Sequence, residues 1–229
     1  MTEARFREIG RIALGALLAL IFVPVVVILF FGVADPRVTP LMLTRAIEGY
    51  GIEKTWVPLS RVSRNLQRAV IVSEDAKFCM HRGFDWVAVD KAIGRYQMKK
   101  KTIHGASTIS MQTSKNLFLW QGRNFIRKGL EAYLTVLLEM LMPKDRIFEI
   151  YLNVIEWGPG IYGVEAASQK NFGVSAAKLS PSQAAHLAAI LPNPRYWRAA
   201  RPGPGMQARA GSILARMNSV ALSKYGTCP

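Results

Sequence analysis

Glu74 and Asp75 stand side by side at the end of the apolar run Ala69-Val70-Ile71-Val72, inside the stretch Ser73 to Gly83 that reads SEDAKFCMHRG. Burial can raise the pKa of a carboxyl group that leaves an apolar segment, and a carboxylate poised near the working pH serves as a general base or acid. Phe78, His81 and Gly83 follow at short intervals. The same acidic pair also suits a helix end standing in water, and this stretch alone leaves both readings open.

Three further segments concentrate polar groups. From His104 to Asn116, the residues Ser107, Thr108, Gln112, Lys115 and Asn116 recur at spacings of three and four, so several project from one side of a helix that begins near Ser107. Arg127, Lys128 and Glu131 fall on one face of a second helix, where Arg127 and Glu131 at i, i+4 could equally be a surface pair worth a few tenths of a kcal/mol. The run from Lys144 to Asn153 contains Arg146, Glu149 and Tyr151, which also fit the polar face of an ordinary amphipathic helix.

These side chains need a scaffold, and the pattern predicts a mainly helical one. Val62, Leu66, Ala69 and Val70 recur at helical spacing into Glu74, and a helix follows from Asp85 to about Met98. Lys99-Lys100-Lys101 and Gly105-Ala106-Ser107-Thr108 read as a mobile loop. Asn124 is placed as the N-cap of a long helix whose stripe Ile126, Leu130, Leu134, Leu137, Leu138 and Leu141 is expected to be core. Helices are also predicted over Lys144 to Leu152, from Ser180-Pro181-Ser182-Gln183 to before Pro192, and over Met206 to Leu222. Strand signals are few.

The 229 residues suffice for one sizeable domain with an appendage. That appendage is legible in residues 12–33, which carry no charged side chain and are long enough to cross a bilayer as a helix, with Pro24 tolerated inside it. The apolar run exceeds a signal-peptide core and lacks a small-x-small site at its end, so an uncleaved anchor is expected. Arg5, Arg7 and Arg11 precede it, which predicts a cytoplasmic segment 1–11 and an extracytoplasmic domain 34–229. A formal net charge of +15 points to an anionic partner. Basic residues are spread along the chain and mixed with apolar ones, which speaks against nucleic acid. The two cysteines, Cys79 and Cys228, do not make a framework and are expected unpaired, and histidines at 81, 104 and 186 show no metal-ligand spacing.

Taken together the four polar segments resemble the motifs of the peptidoglycan glycosyltransferases, the lysozyme-like enzymes that polymerise lipid II. Glu74, Asp75, Phe78, His81 and Gly83 match the family's Glu-Asp-x-x-Phe-x-x-His-x-Gly. Gly105, Ser107, Thr108, Ile109, Gln112, Lys115 and Asn116 match the second motif, with Met111 where the family has the first of two glutamines. Arg127, Lys128 and Glu131 match the third, and Lys144, Arg146, Ile147, Glu149, Tyr151, Leu152 and Asn153 the fourth. The resemblance covers residues 59 to about 201, in the family's motif order, and is closest to the monofunctional members. The short patterns Ser175-Ala-Ala-Lys178 and Ser114-Lys-Asn116 have the wrong order for a transpeptidase domain and are read as chance.

The resemblance implies a bilobed, lysozyme-like glycosyltransferase domain that joins lipid II to a lipid-linked glycan through β-1,4 bonds with inversion. Glu74 is then the base. Lys115, Arg123, Arg127 and Lys128 hold the departing diphosphate, and Glu131, the second essential acid, orients those cations or a bound metal. Asp75, Phe78, His81, Ser107, Thr108, Gln112 and Asn116 would complete the substrate site, and residues from Trp86 to Ile103, with Tyr96 and Met98, a membrane-facing jaw. Met111 would forfeit a hydrogen bond to substrate. No covalent cofactor is implied, although a divalent cation such as Mg2+ is compatible. The implied location is a bacterial inner membrane, with anionic lipids and other cell-wall or division proteins as further partners. Two other classes remain open on the residues: a lytic glycosidase on the same scaffold, which has no pyrophosphate to stabilise, and a non-enzymatic lipid-binding module, which has no need of two acids.

Overall fold

The computed structural model describes residues 3–99, 107–122, 124–224 and 226–228. It opens on one long helix, α1 (Glu3–Val33), whose stretch from Arg7 to Val33 has a mean hydropathy of 3.1, long and apolar enough to cross a membrane. The rest is a helical body. α2 (Pro40–Ile47), the two-residue β1 (Glu53–Lys54) and α3 (Arg64–Glu74) lead to the first motif. α4 (Trp86–Lys99), α5 (Ile109–Phe118), α6 (Phe125–Leu141) and α7 (Lys144–Val154) carry the other three. β2 (Glu156–Gly158) and β3 (Ile161–Tyr162) complete a small sheet in the order β1-β3-β2, with β1 parallel and β2 antiparallel to β3. α8 (Val164–Phe172), α9 (Pro181–Ile190) and α10 (Pro204–Arg216) close the body.

Local chemistry sets the helix starts. Ser63, Thr108, Asn124 and Ser180 each accept a backbone N–H of the first turn, and Ser180 with Gln183 forms a full capping box. The core is built from α3, α7, α8, α9 and α10, with Leu66, Val70, Phe148, Ile150 and Leu187 fully enclosed. α5 and α6 approach through small hydroxyl residues, where Thr135 donates to Ser114 Oγ at 3.2 Å. The stripe on α6 is core only in part. Leu134 and Leu138 are buried, whereas Ile126 is 77% exposed, because the first turn of α6 projects beyond the layer that α5 and α7 cover.

α1 is docked on the helical body. Leu20, Val23, Pro24 and Val27 of α1 face Phe118, Leu130, Tyr133 and Leu134 across a crevice of about 210 Å3, and the Tyr133 hydroxyl donates to Leu20 O at 3.2 Å. At the other end Arg146 donates to Phe31 O (3.0 Å) and Ala34 O (2.7 Å), satisfying carbonyls that a helix C-terminus leaves open. Lys54 adds a bond to Arg37 O at 3.0 Å, and burial lowers its ammonium to about 8. The fourth motif is therefore largely a brace. Glu149 accepts Leu59 N at 2.6 Å, and Asn153 exchanges bonds with Val57 N (3.0 Å) and Val57 O (2.9 Å).

Cys79 and Cys228 form a disulfide, contrary to the expectation that they stay unpaired. They are separated by 149 positions, and only the folded chain brings the tail beside the first motif. Arg64 donates to Gly226 O at 2.8 Å, Arg68 to Val220 O at 3.3 Å and Thr227 N to Asp145 at 2.6 Å, which lays the C-terminal segment along α3 and the start of α7. Replacing both cysteines with Ser is expected to lower unfolding stability by about 2–4 kcal/mol. Denaturant midpoints equal to those of the unaltered protein would show that the bridge adds nothing.

Candidate active site

The two adjacent acids part company at the end of α3. Asp75 caps the helix and turns inward, where its carboxylate takes His81 Nε2 at 2.9 Å and the backbone N–H of Ile109 at 3.0 Å. Thr108 caps α5 from Met111 N and donates its hydroxyl to Gly83 O at 2.6 Å. Gly83 has φ +89°, and a Cβ there would lie 2.9 Å from Thr135 Cγ2, so this position requires glycine. The first and second motifs are thus laced together by Asp75, His81, Gly83 and Thr108. Asp75 and Thr108 are buried and spent on this framework, and Phe78 is fully enclosed against Phe148 with Lys144 Nζ 4.4 Å above its ring. In this conformation the substrate contact expected of Phe78 and Thr108 is unavailable to them. Met111 is also buried on α5, 5% exposed.

Glu74 points the other way. Gln112 Nε2 donates to its Oε2 at 3.1 Å, while the Tyr151 hydroxyl, kept neutral because burial raises its pKa well above the ordinary value, donates to Gln112 Oε1 at 3.3 Å. Tyr151 thereby fixes the amide so that its NH2 group faces the carboxylate. Burial raises the Glu74 pKa, the Gln112 bond and the Arg209 guanidinium 3.8 Å away pull it back, and the neighbouring Asp75 pushes it up again. The solvated-terminus reading fails, since only 13% of the Glu74 side chain is exposed.

Gln112 opens onto a cleft of about 390 Å3 lined also by Lys115, Asn116, Arg45, Tyr151 and Glu156. Two cations nearby share one acid. Arg127 Nη1 and Lys128 Nζ each lie 2.5 Å from a different oxygen of Glu131, which is 3% exposed, so this is no surface pair. Arg45 is shared between Glu48 (2.6 Å) and Glu156 (3.2 Å). Lys115 forms no ion pair among the described residues. Burial lowers its pKa, with Glu131 raising it and Arg127, Lys128 and Arg45 lowering it further. The cleft therefore holds a desolvated ammonium in a field of further cations, a site prepared for an anion.

Among the expected site residues, Ser107 is exposed beside α5 and Arg123 lies outside the described residues, as do residues 100–106 and the side chains of Tyr96 and Met98. Trp86 is 70% exposed on α4. Among the described residues no group of three or more acids, histidines or cysteines could hold a metal. Glu131 does not fit one either, since each of its oxygens is occupied by a cation. Sequence reasoning missed Arg45 and Arg209, single basic residues with no local pattern that only the packing of α2 and α10 brings to the site.

Residues 42–218 match the family model described as Transglycosylase. The chain is 50% identical over 222 residues to a biosynthetic peptidoglycan transglycosylase of Caulobacter vibrioides, covering 97% of this chain and 96% of the relative. It is 45% identical to one of Chromohalobacter salexigens, with 98% of each covered. A third, from Bdellovibrio bacteriovorus, is 49% identical over 83% of this chain and 78% of its own. With four motifs laced around one buried carboxylate and a cationic cleft, the chain belongs to the biosynthetic peptidoglycan transglycosylase family, lysozyme-like glycosyltransferases that polymerise glycan for the cell wall.

Proposed function

We propose that Glu74 is the general base and Lys115 the principal diphosphate ligand of a single-step, inverting glycan polymerisation. The acceptor 4-hydroxyl of lipid II attacks the anomeric carbon of the lipid-linked strand, its proton passes to the Glu74 carboxylate, and the bond from that carbon to the diphosphate oxygen breaks. The electron pair leaves with the polyprenyl diphosphate, and the charge it develops meets the ammonium of Lys115 with Arg127, Lys128 and Arg123 around it. Glu131 positions Arg127 and Lys128. The observation that carries this reading is the buried Lys115 without an ion pair among the described residues, in a cleft whose other lining cation, Arg45, is held by Glu48 and Glu156. A hydrolase acting on free glycan would have no anion to place there. Incubating the full-length protein with lipid II in detergent tests the reading: glycan polymer is expected, and lipid II left unconsumed would sink it.

Residues 1–11 are taken as cytoplasmic, 12–33 as the membrane span and 34–229 as the periplasmic catalytic domain of a single-pass inner-membrane protein. Arg5, Arg7 and Arg11 on one side and the disulfide on the other support this, since disulfides persist in oxidising compartments. In this reading the cleft works at the outer leaflet, where lipid II and anionic lipids lie and where other cell-wall or division proteins join it. A periplasm-specific reporter fused after Pro229 is expected to be active. Activity only from a cytoplasmic reporter would reverse the topology.

A further inference from the structure

A second cleft of about 480 Å3 lies outside the catalytic one, and nothing in the proposed reaction uses it. Its walls include Trp157, Trp197, Asn171, Lys170, Arg198 and Arg201, without an acidic side chain among the lining residues. Lys170 reaches Glu53 only at 3.5 Å on the open surface, and neither Arg198 nor Arg201 forms an ion pair among the described residues. The Trp157 indole N–H is spent on Leu152 O and its ring is buried as the floor, whereas Trp197 is 36% exposed as a wall.

The two clefts share a partition. Glu156 lines the catalytic cleft and the next residue of β2, Trp157, lines the second, as expected where consecutive strand residues point to opposite sides. The following segment repeats the arrangement, with Pro194 on the catalytic side and Trp197 on the other. The two clefts are thus separated by a wall one strand thick.

We propose that this second cleft binds the carboxylate-bearing peptide stems of the nascent glycan strand. The inference rests on the polymerase reading, which supplies a strand with such stems leaving the catalytic cleft. Guanidinium forks suit carboxylates in paired geometry, and an exposed indole gives the apolar surface that a sugar or peptide backbone packs on. Anionic lipid headgroups share the charge but not the need for an aromatic wall one strand away from the catalytic cleft.

The test uses the full chain in detergent and, as probe, a soluble lipid-free peptidoglycan fragment of several disaccharides with intact stems, followed by titration calorimetry. Arg198→Ala with Arg201→Ala is expected to weaken binding about tenfold or more, the size of losing charge-assisted hydrogen bonds. Arg198→Lys with Arg201→Lys should recover part of it, with thermal unfolding checked for both. Amidating the fragment's carboxylates should weaken binding to the unaltered protein equally. Equal affinity of the Ala pair, or indifference to amidation, would overturn the inference. So would loss of flotation with phosphatidylglycerol vesicles in the Ala pair while fragment binding persists, which would give the cations to lipid. Fragment binding needs no turnover, so failure of the unaltered protein to polymerise lipid II would strike the polymerase reading separately.

Discussion

Replacing Glu74 with Gln is expected to lower the polymerisation rate by about 10²- to 10⁴-fold, the usual worth of a general base, in a protein that still folds and binds lipid II. The substitution keeps the shape of the side chain and an oxygen to accept the Gln112 amide, so the framework of Gln112 and Tyr151 has no cause to move. What it removes is the capacity to take a proton. Burial raises the Glu74 pKa, so the base is lost as pH falls through a value above the ordinary carboxylate range, and the acidic limb of the rate profile should lie correspondingly high. That limb is expected to vanish from the residual activity of Glu74→Gln. Glu131→Gln should also lose activity, but through Arg127 and Lys128, which it holds at 2.5 Å, and with the acidic limb preserved. An acidic limb that followed Glu131 instead would exchange the two roles.

Lys115→Ala is expected to cost about 10²- to 10³-fold in turnover, as does removal of one preorganised donor to developing charge. Its effect on stability should have the opposite sign. A desolvated ammonium without an ion pair opposes folding, so the variant should unfold at the same temperature or higher. The pH dependence follows from the direction of the shift. Burial lowers the folded-state pKa of Lys115, so between that value and the higher unfolded one the unfolded chain holds more protons. Stability should therefore rise with pH across that window in the unaltered protein, and this contribution should be missing from Lys115→Ala. Activity should fall over the same window as the ammonium discharges. A variant that polymerises lipid II at the normal rate would remove Lys115 from the mechanism, and one that unfolds well below the unaltered protein would show that the ammonium has a partner in the fold.

Most helices were legible before folding was considered. Their starts are fixed by side chains that bond their own first turn, as at Ser63, Thr108, Asn124 and Ser180, and such bonds need no distant partner. The first turn of α6 shows the limit: its apolar period is the same at Ile126 as at Leu138, but only the latter meets a neighbouring helix.

The sequence by itself determined the apolar N-terminal helix, the helical class, the four motifs and hence the family, because each is written in residue type and spacing along a single segment. Tertiary structure decided what the motif residues do. Asp75, Phe78 and Thr108 became framework while Glu74 turned to Gln112, which lines the cleft, since one residue's rotation at a helix end separates the two directions. It also decided the Cys79–Cys228 bridge, the docking of α1 by Arg146, and the presence of Arg45 on the cleft and Arg209 beside Glu74. These contacts join positions more than a hundred apart, and no local pattern records them. They exist only once burial of the apolar faces has brought the segments together.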